Sequence, residues 1–247
     1  MKPWPGAEHD PRLTLDRGEI DLWMIAINTS DSEDSSAIGA LAPDEQARAA
    51  SFRSRLDSSA FIQRRAALRE ILAAYLGIAP RAVAFIQNEF GKPALSPGKD
   101  CDGLSFNASH SGSVAVVAVG RAGAIGIDIE QLRPINDAES IAGRYFVPGE
   151  AAALAALHQR ERTEGFFNAW TRKEAVVKAA GGGLSIPLDS FEVSLRPGEP
   201  AVIVGGELPG SDPGLWRIHH LEPAPGYVGA LVAEQGAQPC PCWKWPR

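Results

Sequence analysis

The six residues Val114-Ala115-Val116-Val117-Ala118-Val119 form an unbroken apolar run rich in β-branched side chains. A run this short, with no polar member, reads as a strand buried on both faces. Such a strand needs cover on each side, so the chain has to build layers around it. Just beyond Gly120 to Gly123, the stretch Ile125 to Glu130 alternates strictly. As a strand it sends Ile125, Ile127 and Ile129 one way and Gly126, Asp128 and Glu130 the other.

The remaining elements supply the cover. Glu19 to Asn28 reads as a strand, followed by a polar linker from Thr29 to Ser36. Pro43, Asp44 and Glu45 suit the first turn of a helix. Ser59 to Leu76 carries an apolar stripe of Phe61, Ala67, Leu68, Ile71, Leu72 and Tyr75 that Gly77 terminates. Val83 to Gln87 reads as a strand and Asn88 to Pro93 as a turn. In the second half, Asp137 to His158 is helical with a break at Tyr145 to Pro148, and Thr163 to Ala180 is a helix ended by Gly181-Gly182-Gly183. Short strands follow at Phe191 to Leu195, Ala201 to Val204, Trp216 to Leu221 and Tyr227 to Val232. Helices flanked by strands in each half, joined near Gly120 to Gly126, predict an α/β (or α+β) fold of two similarly sized halves.

Composition narrows the function. With 247 residues, 45% of them hydrophobic, the chain buries a core without disulfides. A formal charge of −6 argues against a nucleic-acid partner. Yet Arg48, Arg53, Arg55, Arg64, Arg65 and Arg69 cluster with only Asp57 among them, either a solvated helix face or a cationic surface for a small polyanion. Cys101, Cys240 and Cys242 make no disulfide framework, and Cys240-Pro241-Cys242, with no histidine nearby, is read as a pair of tail thiols without a role. The start of the chain has no apolar signal core, and the run Leu104 to Val119 is broken by Asn107, Ser109, His110 and Ser111, so no membrane span is expected and a cytoplasmic location is.

Four constellations carry polar chemistry. Asp128 and Glu130 stand side by side on one strand face. That is either an open edge or a pair sharing a cation, and hard oxygen donors suit Mg²⁺. Trp170, Glu174 and Lys178, spaced by four, form one helix stripe among Phe166, Phe167, Val176 and Val177, which half-buries the charged pair. Phe106-Asn107-Ala108-Ser109-His110-Ser111-Gly112 offers hydrogen-bond donors for phosphate, with a structural histidine as the alternative. A serine–histidine nucleophile is disfavoured because no G-x-S-x-G elbow exists. Phe90-Gly91-Lys92-Pro93 lacks the P-loop spacing and says little alone.

Taken in order, these four stretches resemble the Sfp-type 4'-phosphopantetheinyl transferases over roughly positions 90 to 190, with Gly181 to Leu184 closing the match. The resemblance implies two similar α/β subdomains related by a pseudo-twofold axis, residues 1–122 and 123–247, with coenzyme A in the cleft between them. It implies Mg²⁺ on Asp128, Glu130 and Glu174, His110 at the pyrophosphate, Lys178 on a phosphate oxygen, Lys92 and Pro93 by the adenine, and Ser109 near the nucleotide. Arg48 and Arg64 fall near the places used for the 3'-phosphate. The implied reaction moves phosphopantetheine to a serine of an apo acyl or peptidyl carrier protein, releasing 3',5'-ADP, with Glu174, Lys178 and His110 as catalytic residues; a long chain whose two halves supply each other with an interface suggests a monomer. An inactive coenzyme A-binding module and a Mg²⁺-dependent nucleotide phosphohydrolase are the rival readings.

Overall fold

The structure, a computed structural model, describes residues 2–3, 13–28, 35–98, 101, 103–208 and 212–245. Residues 29–34 of the expected linker lie outside the described residues. The first half runs β1 (Lys2–Pro3), β2 (Glu19–Ala26), α1 (Ser35–Ala40), α2 (Pro43–Ala50), α3 (Arg55–Leu76), a hairpin of β3 (Phe85–Gln87) and β4 (Pro93–Leu95), then β5 (Ser105–Ser111) and β6 (Val114–Gly120). The second runs β7 (Ile125–Gln131), α4 (Ala138–Tyr145), α5 (Pro148–Ala155), α6 (Gln159–Ala180), a hairpin of β8 (Phe191–Val193) and β9 (Ile203–Gly206), then β10 (Trp216–Leu221), β11 (Tyr227–Glu234) and β12 (Gln238–Lys244).

The halves repeat one topology. The first arranges its strands β2-β6-β5 and the second β7-β11-β10, each antiparallel, each with a 22-residue helix and a small hairpin between its first and second strands. The fold is α/β, as the alternation of elements predicts. The strand with no polar residue lies at its centre: every residue of β6 is buried. Val114, Val116 and Ala118 pack with Ile20, Leu22 and Met24 against Ile125, Ile127 and Ile129 of the other sheet. Ala115, Val117 and Val119 turn the opposite way, onto Leu68, Ile71 and Leu72 of α3. Beyond the second sheet, Val228, Ala230 and Val232 meet Val176 and other residues of α6. The layers are therefore α3, first sheet, second sheet, α6. Each fully buried aliphatic side chain in them contributes roughly 1.5–3 kcal/mol of transfer free energy.

Helix α6 begins at Gln159 and β9 spans Ile203–Gly206, a few residues from their expected bounds, and three further elements differ from the sequence expectation. The segment from Phe106 to Ser111, to which the sequence assigned no strand, is itself part of strand β5, paired with β6 along its length. Its polar alternation hid it, because Asn107, Ser109 and Ser111 face protein rather than water. Helix α3 begins earlier than Ser59, since Ser54 caps it by accepting a hydrogen bond from the Asp57 amide. The tail at Cys240 to Cys242 is not idle: β12 inserts in parallel between β1 and β2, with a register slip between Pro239 and Cys242. Trp243 stacks on Trp23 with ring centroids 5.8 Å apart. The last strand thus belongs to the sheet of the first half, so a division at 122/123 is crossed by β12. No described helix is long and apolar enough to cross a membrane.

Candidate active site in the cleft between the halves

The site begins at Gly126. A Cβ there would lie 1.9 Å from the Ala175 carbonyl oxygen and 2.4 Å from the Ala179 amide nitrogen. The missing side chain therefore lets α6 settle directly on β7 rather than merely leaving space beside the carboxylates. With α6 this close, the alternation of β7 and the four-residue stripe of α6 face one another. Asp128 is 7% exposed, and Trp170, Glu174 and Lys178 are half-buried while most of their helix neighbours are buried.

Within that seam, Lys178 Nζ donates to Asp128 Oδ1 at 2.7 Å and to the Ile127 carbonyl at 3.0 Å. Ser109 Oγ donates to the same Asp128 oxygen at 2.8 Å, and Ser111 Oγ donates to Glu130 Oε2 at 2.6 Å. Both serines also accept from β7 amides, Ile129 N at 3.3 Å and Gln131 N at 3.1 Å, and Asn107 Oδ1 accepts from Ile127 N at 2.8 Å. Side chains of β5 thus replace a backbone ladder along the edge of β7, and the serines that join the sheets also hold the acidic pair.

Burial pushes the Asp128 carboxyl above its ordinary value, with Lys178 opposing. Burial also raises Glu174, and the nearby charges of Asp128 and Glu130 add to it. The three acids therefore share one neighbourhood, although among the described residues no set of three is drawn in as metal ligands. Crowded hard oxygen donors, with Lys178 paired to Asp128 and the exposed Arg133 to Glu130, are of the kind that fits a small divalent cation.

Across the seam from α6, His110 lies on the exposed face of β5. The surrounding protein still strips enough water from its ring to hold the imidazole below its usual value, and Arg64 and Lys178 push the same way while Glu130 opposes. A histidine between two cations is a natural contact for an anion. Arg64 belongs to this group. Arg48 instead lies over the Phe61 ring, 5.3 Å from its centroid. Sequence reasoning did not single out Arg65, which lines the main cleft while Glu45 and the Phe85 ring, 4.4 Å from its guanidinium carbon, hold it in place. Adjacent helix positions diverge by about 100°, so Arg64 and Arg65 serve different surfaces. The arginine cluster is also less open than its sequence suggests, because Glu45 of α2 pairs with both Arg65 and the buried Arg69.

The cleft has a volume of ≈ 710 Å³ and is lined from both halves, including Lys92 and Pro93 from the first and Glu174 and Lys178 from the second. Phe90 and Tyr145 stand exposed at its walls. Lys173, next to Glu174 in the sequence, turns away. Its ammonium is fully buried, paired with Glu150 at 2.8 Å and bonded to the Leu188 carbonyl at 2.7 Å, so it anchors the segment whose Leu188 and Asp189 form a cleft wall.

Fold and cleft together describe a two-halved α/β protein whose binding site is shared between its halves. A profile of the 4'-phosphopantetheinyl transferase superfamily matches residues 124–232, and one of the N-terminal part of 4'-phosphopantetheinyl transferases matches residues 27–121. The chain is 38% identical over 230 residues to the 4'-phosphopantetheinyl transferase HetI of Nostoc sp., covering 93% of this chain and 94% of that one. It is 31% identical over 204 residues to the 4'-phosphopantetheinyl transferase Sfp of Bacillus subtilis, covering 83% and 87%. Among solved structures, the Thermotoga maritima holo-[acyl-carrier-protein] synthase aligns over 46% of this chain and 63% of its own, at 24% identity and a TM-score of 0.34. The chain belongs to the 4'-phosphopantetheinyl transferase superfamily.

Proposed function

We propose that this enzyme transfers the 4'-phosphopantetheine arm of coenzyme A to a serine of an apo acyl or peptidyl carrier protein, with Mg²⁺ and with 3',5'-ADP as the second product. The observation that carries the reading is the convergence of Lys178 from one half with His110 and Arg64 from the other, beside Asp128. That is a place for a diphosphate held between the halves. In this reading residues 1–122 supply nucleotide contacts and 123–247 the catalytic acids, in a cytoplasmic monomer.

The serine oxygen attacks the β-phosphorus, and the bond to the bridging oxygen breaks with its electron pair leaving on 3',5'-ADP. Lys178 and His110 donate hydrogen bonds to the oxygens on which charge grows. Glu174, whose carboxyl burial has raised, accepts the serine proton. Asp128, Glu130 and Glu174 would hold Mg²⁺, which when bound supplies Lewis-acid stabilisation of the phosphate charge. Arg64, beside His110, carries the first half's share of positive charge toward the nucleotide phosphates, and Lys92 and Pro93 form the wall beside the nucleotide.

The test is mass spectrometry of a panel of apo-carrier proteins incubated with enzyme, coenzyme A and Mg²⁺. A carrier gaining the phosphopantetheine mass supports the reading; coenzyme A consumed without any carrier points to a phosphohydrolase and overturns it. Glu174→Gln is expected to abolish transfer while retaining coenzyme A binding, and near-normal turnover would remove Glu174 as the proton acceptor.

A further inference from the structure

The turn from Asn88 to Lys92 is tied to itself and then to the opposite half. Asn88 Oδ1 accepts from the amides of Phe90 at 3.0 Å and Lys92 at 2.8 Å, and the Asn88 amide donates to the Lys92 carbonyl at 3.0 Å. From this fixed base two donors cross the cleft. Asn88 Nδ2 donates to the Gly181 carbonyl at 2.8 Å, and Lys92 Nζ donates to the Ile125 carbonyl at 3.0 Å and the Ala179 carbonyl at 3.5 Å. Ile125 opens the strand carrying Asp128 and Glu130, and Ala179 closes the helix carrying Glu174 and Lys178.

The acceptors suit the donors. The last carbonyls of a helix have no intrahelical partner and carry the negative end of its dipole. Ala179 and Gly181 stand at that end of α6, and an ammonium and an amide from the other half satisfy them. Lys92 pairs with no carboxylate among the described residues, and burial pulls its ammonium down to about 8. A charge held at that cost by carbonyls alone serves the contact between the halves rather than a surface.

We infer that Asn88 and Lys92 form a clasp that sets the spacing of the two halves, which makes Asn88 a positioning residue for the bound cofactor and gives Lys92 a second duty besides its place in the cleft wall. The identity of that cofactor, coenzyme A, rests on the proposed function; the clasp itself does not. Coenzyme A at saturation would bridge the halves and restore the spacing, so loss of the clasp weakens binding and spares turnover.

Two variants test this. Lys92→Met keeps the apolar stem and removes the donor. Asn88→Asp keeps the oxygen that caps the turn and replaces the amide nitrogen with a group that repels the Gly181 carbonyl. Amide hydrogen exchange is measured on each without ligand, followed by coenzyme A affinity and transfer kinetics. Both variants are expected to speed exchange over residues 88–92 and 181–183, and Asn88→Asp, which lies outside the cleft lining, is expected to raise the KM for coenzyme A about tenfold, the worth of one net hydrogen bond, with kcat within about threefold. Unchanged exchange in unliganded Lys92→Met, or wild-type coenzyme A affinity in Asn88→Asp, overturns the clasp. Absence of coenzyme A binding by the wild type would instead sink the functional reading, and the exchange comparison would still decide the clasp.

Discussion

Lys178 pairs with Asp128 across the seam between α6 and β7, at 2.7 Å, and not with Glu174 one turn back on its own helix. Its ammonium is thereby fixed where a phosphate oxygen can meet it, and Glu174 keeps a carboxylate free of any ion pair among the described residues. Lys178→Met is expected to lower kcat for transfer by about 10²–10³. Its cost in stability is expected to be smaller than that of Lys173→Met, because the lysine side chain is 29% exposed, but measurable, because the buried Asp128 loses its ion-pair partner. Steady-state transfer and thermal unfolding check the two halves of this prediction, and a variant with full turnover contradicts it.

Gly126→Ala has nowhere to put its methyl group, since the nearest neighbours are backbone atoms of α6. The helix must lift from β7, separating Glu174 and Lys178 from Asp128 and Glu130. Unfolding in urea is expected to show a loss of about 3 kcal/mol or more, together with loss of transfer. Wild-type stability would mean the two backbones are not in contact.

Ser111 holds Glu130 and accepts from the Gln131 amide at once. Ser111→Ala frees the carboxylate to rotate, whereas Ser111→Thr retains the hydroxyl. If Glu130 helps to hold Mg²⁺, the alanine variant is expected to need about tenfold more Mg²⁺ for half-maximal binding, with the threonine variant close to wild type. Titration with Mn²⁺ followed by electron paramagnetic resonance reads the affinity directly; equal affinities for all three proteins would detach Ser111 from this role.

Lys92 supplies a pH signature. The unfolded chain keeps its proton up to the ordinary value of 10.5, whereas the folded chain releases it at about 8. Between those values the unfolded state binds more protons, so this residue's contribution to stability rises with pH from about 8 to 10.5. The stability difference between wild type and Lys92→Met, followed by urea unfolding, should therefore shift in favour of the wild type across that window. A difference independent of pH would show that Lys92 is not buried as a cation.

Lys173 and Glu150 are 0% and 1% exposed, and burial drives the lysine down and the glutamate up while each opposes the other's shift. Removing one partner strands the other, so Lys173→Met is expected to cost about 3–5 kcal/mol. It also releases the segment at Leu188 to Phe191 that Lys173 anchors. Chemical denaturation checks the magnitude; a loss below 1 kcal/mol would mean the pair carries little of that wall.

Local pattern alone was enough for much of this protein. The apolar run of β6, the alternation from Ile125 to Glu130 and the spacing of Trp170, Glu174 and Lys178 all placed their side chains on the faces they occupy. Strand and helix periods are properties of consecutive residues, so they are legible without knowing the neighbours. The order of the four polar stretches identified the family for the same reason.

Tertiary structure decided what depends on partners distant in sequence. Prolines at 239 and 241 disguise β12, which becomes a strand because β1 and β2 flank it. Only the approach of α6 explains Gly126, and only the packing of two adjacent arginines sends Arg64 toward His110 and Arg65 into the cleft. Lys92, expected by the adenine, also spans the halves, and Lys173, one residue from Glu174, turns away to anchor a wall. A lysine's reach is set by its own stem, but its partner is chosen by whichever carbonyl or carboxylate the fold brings within that reach.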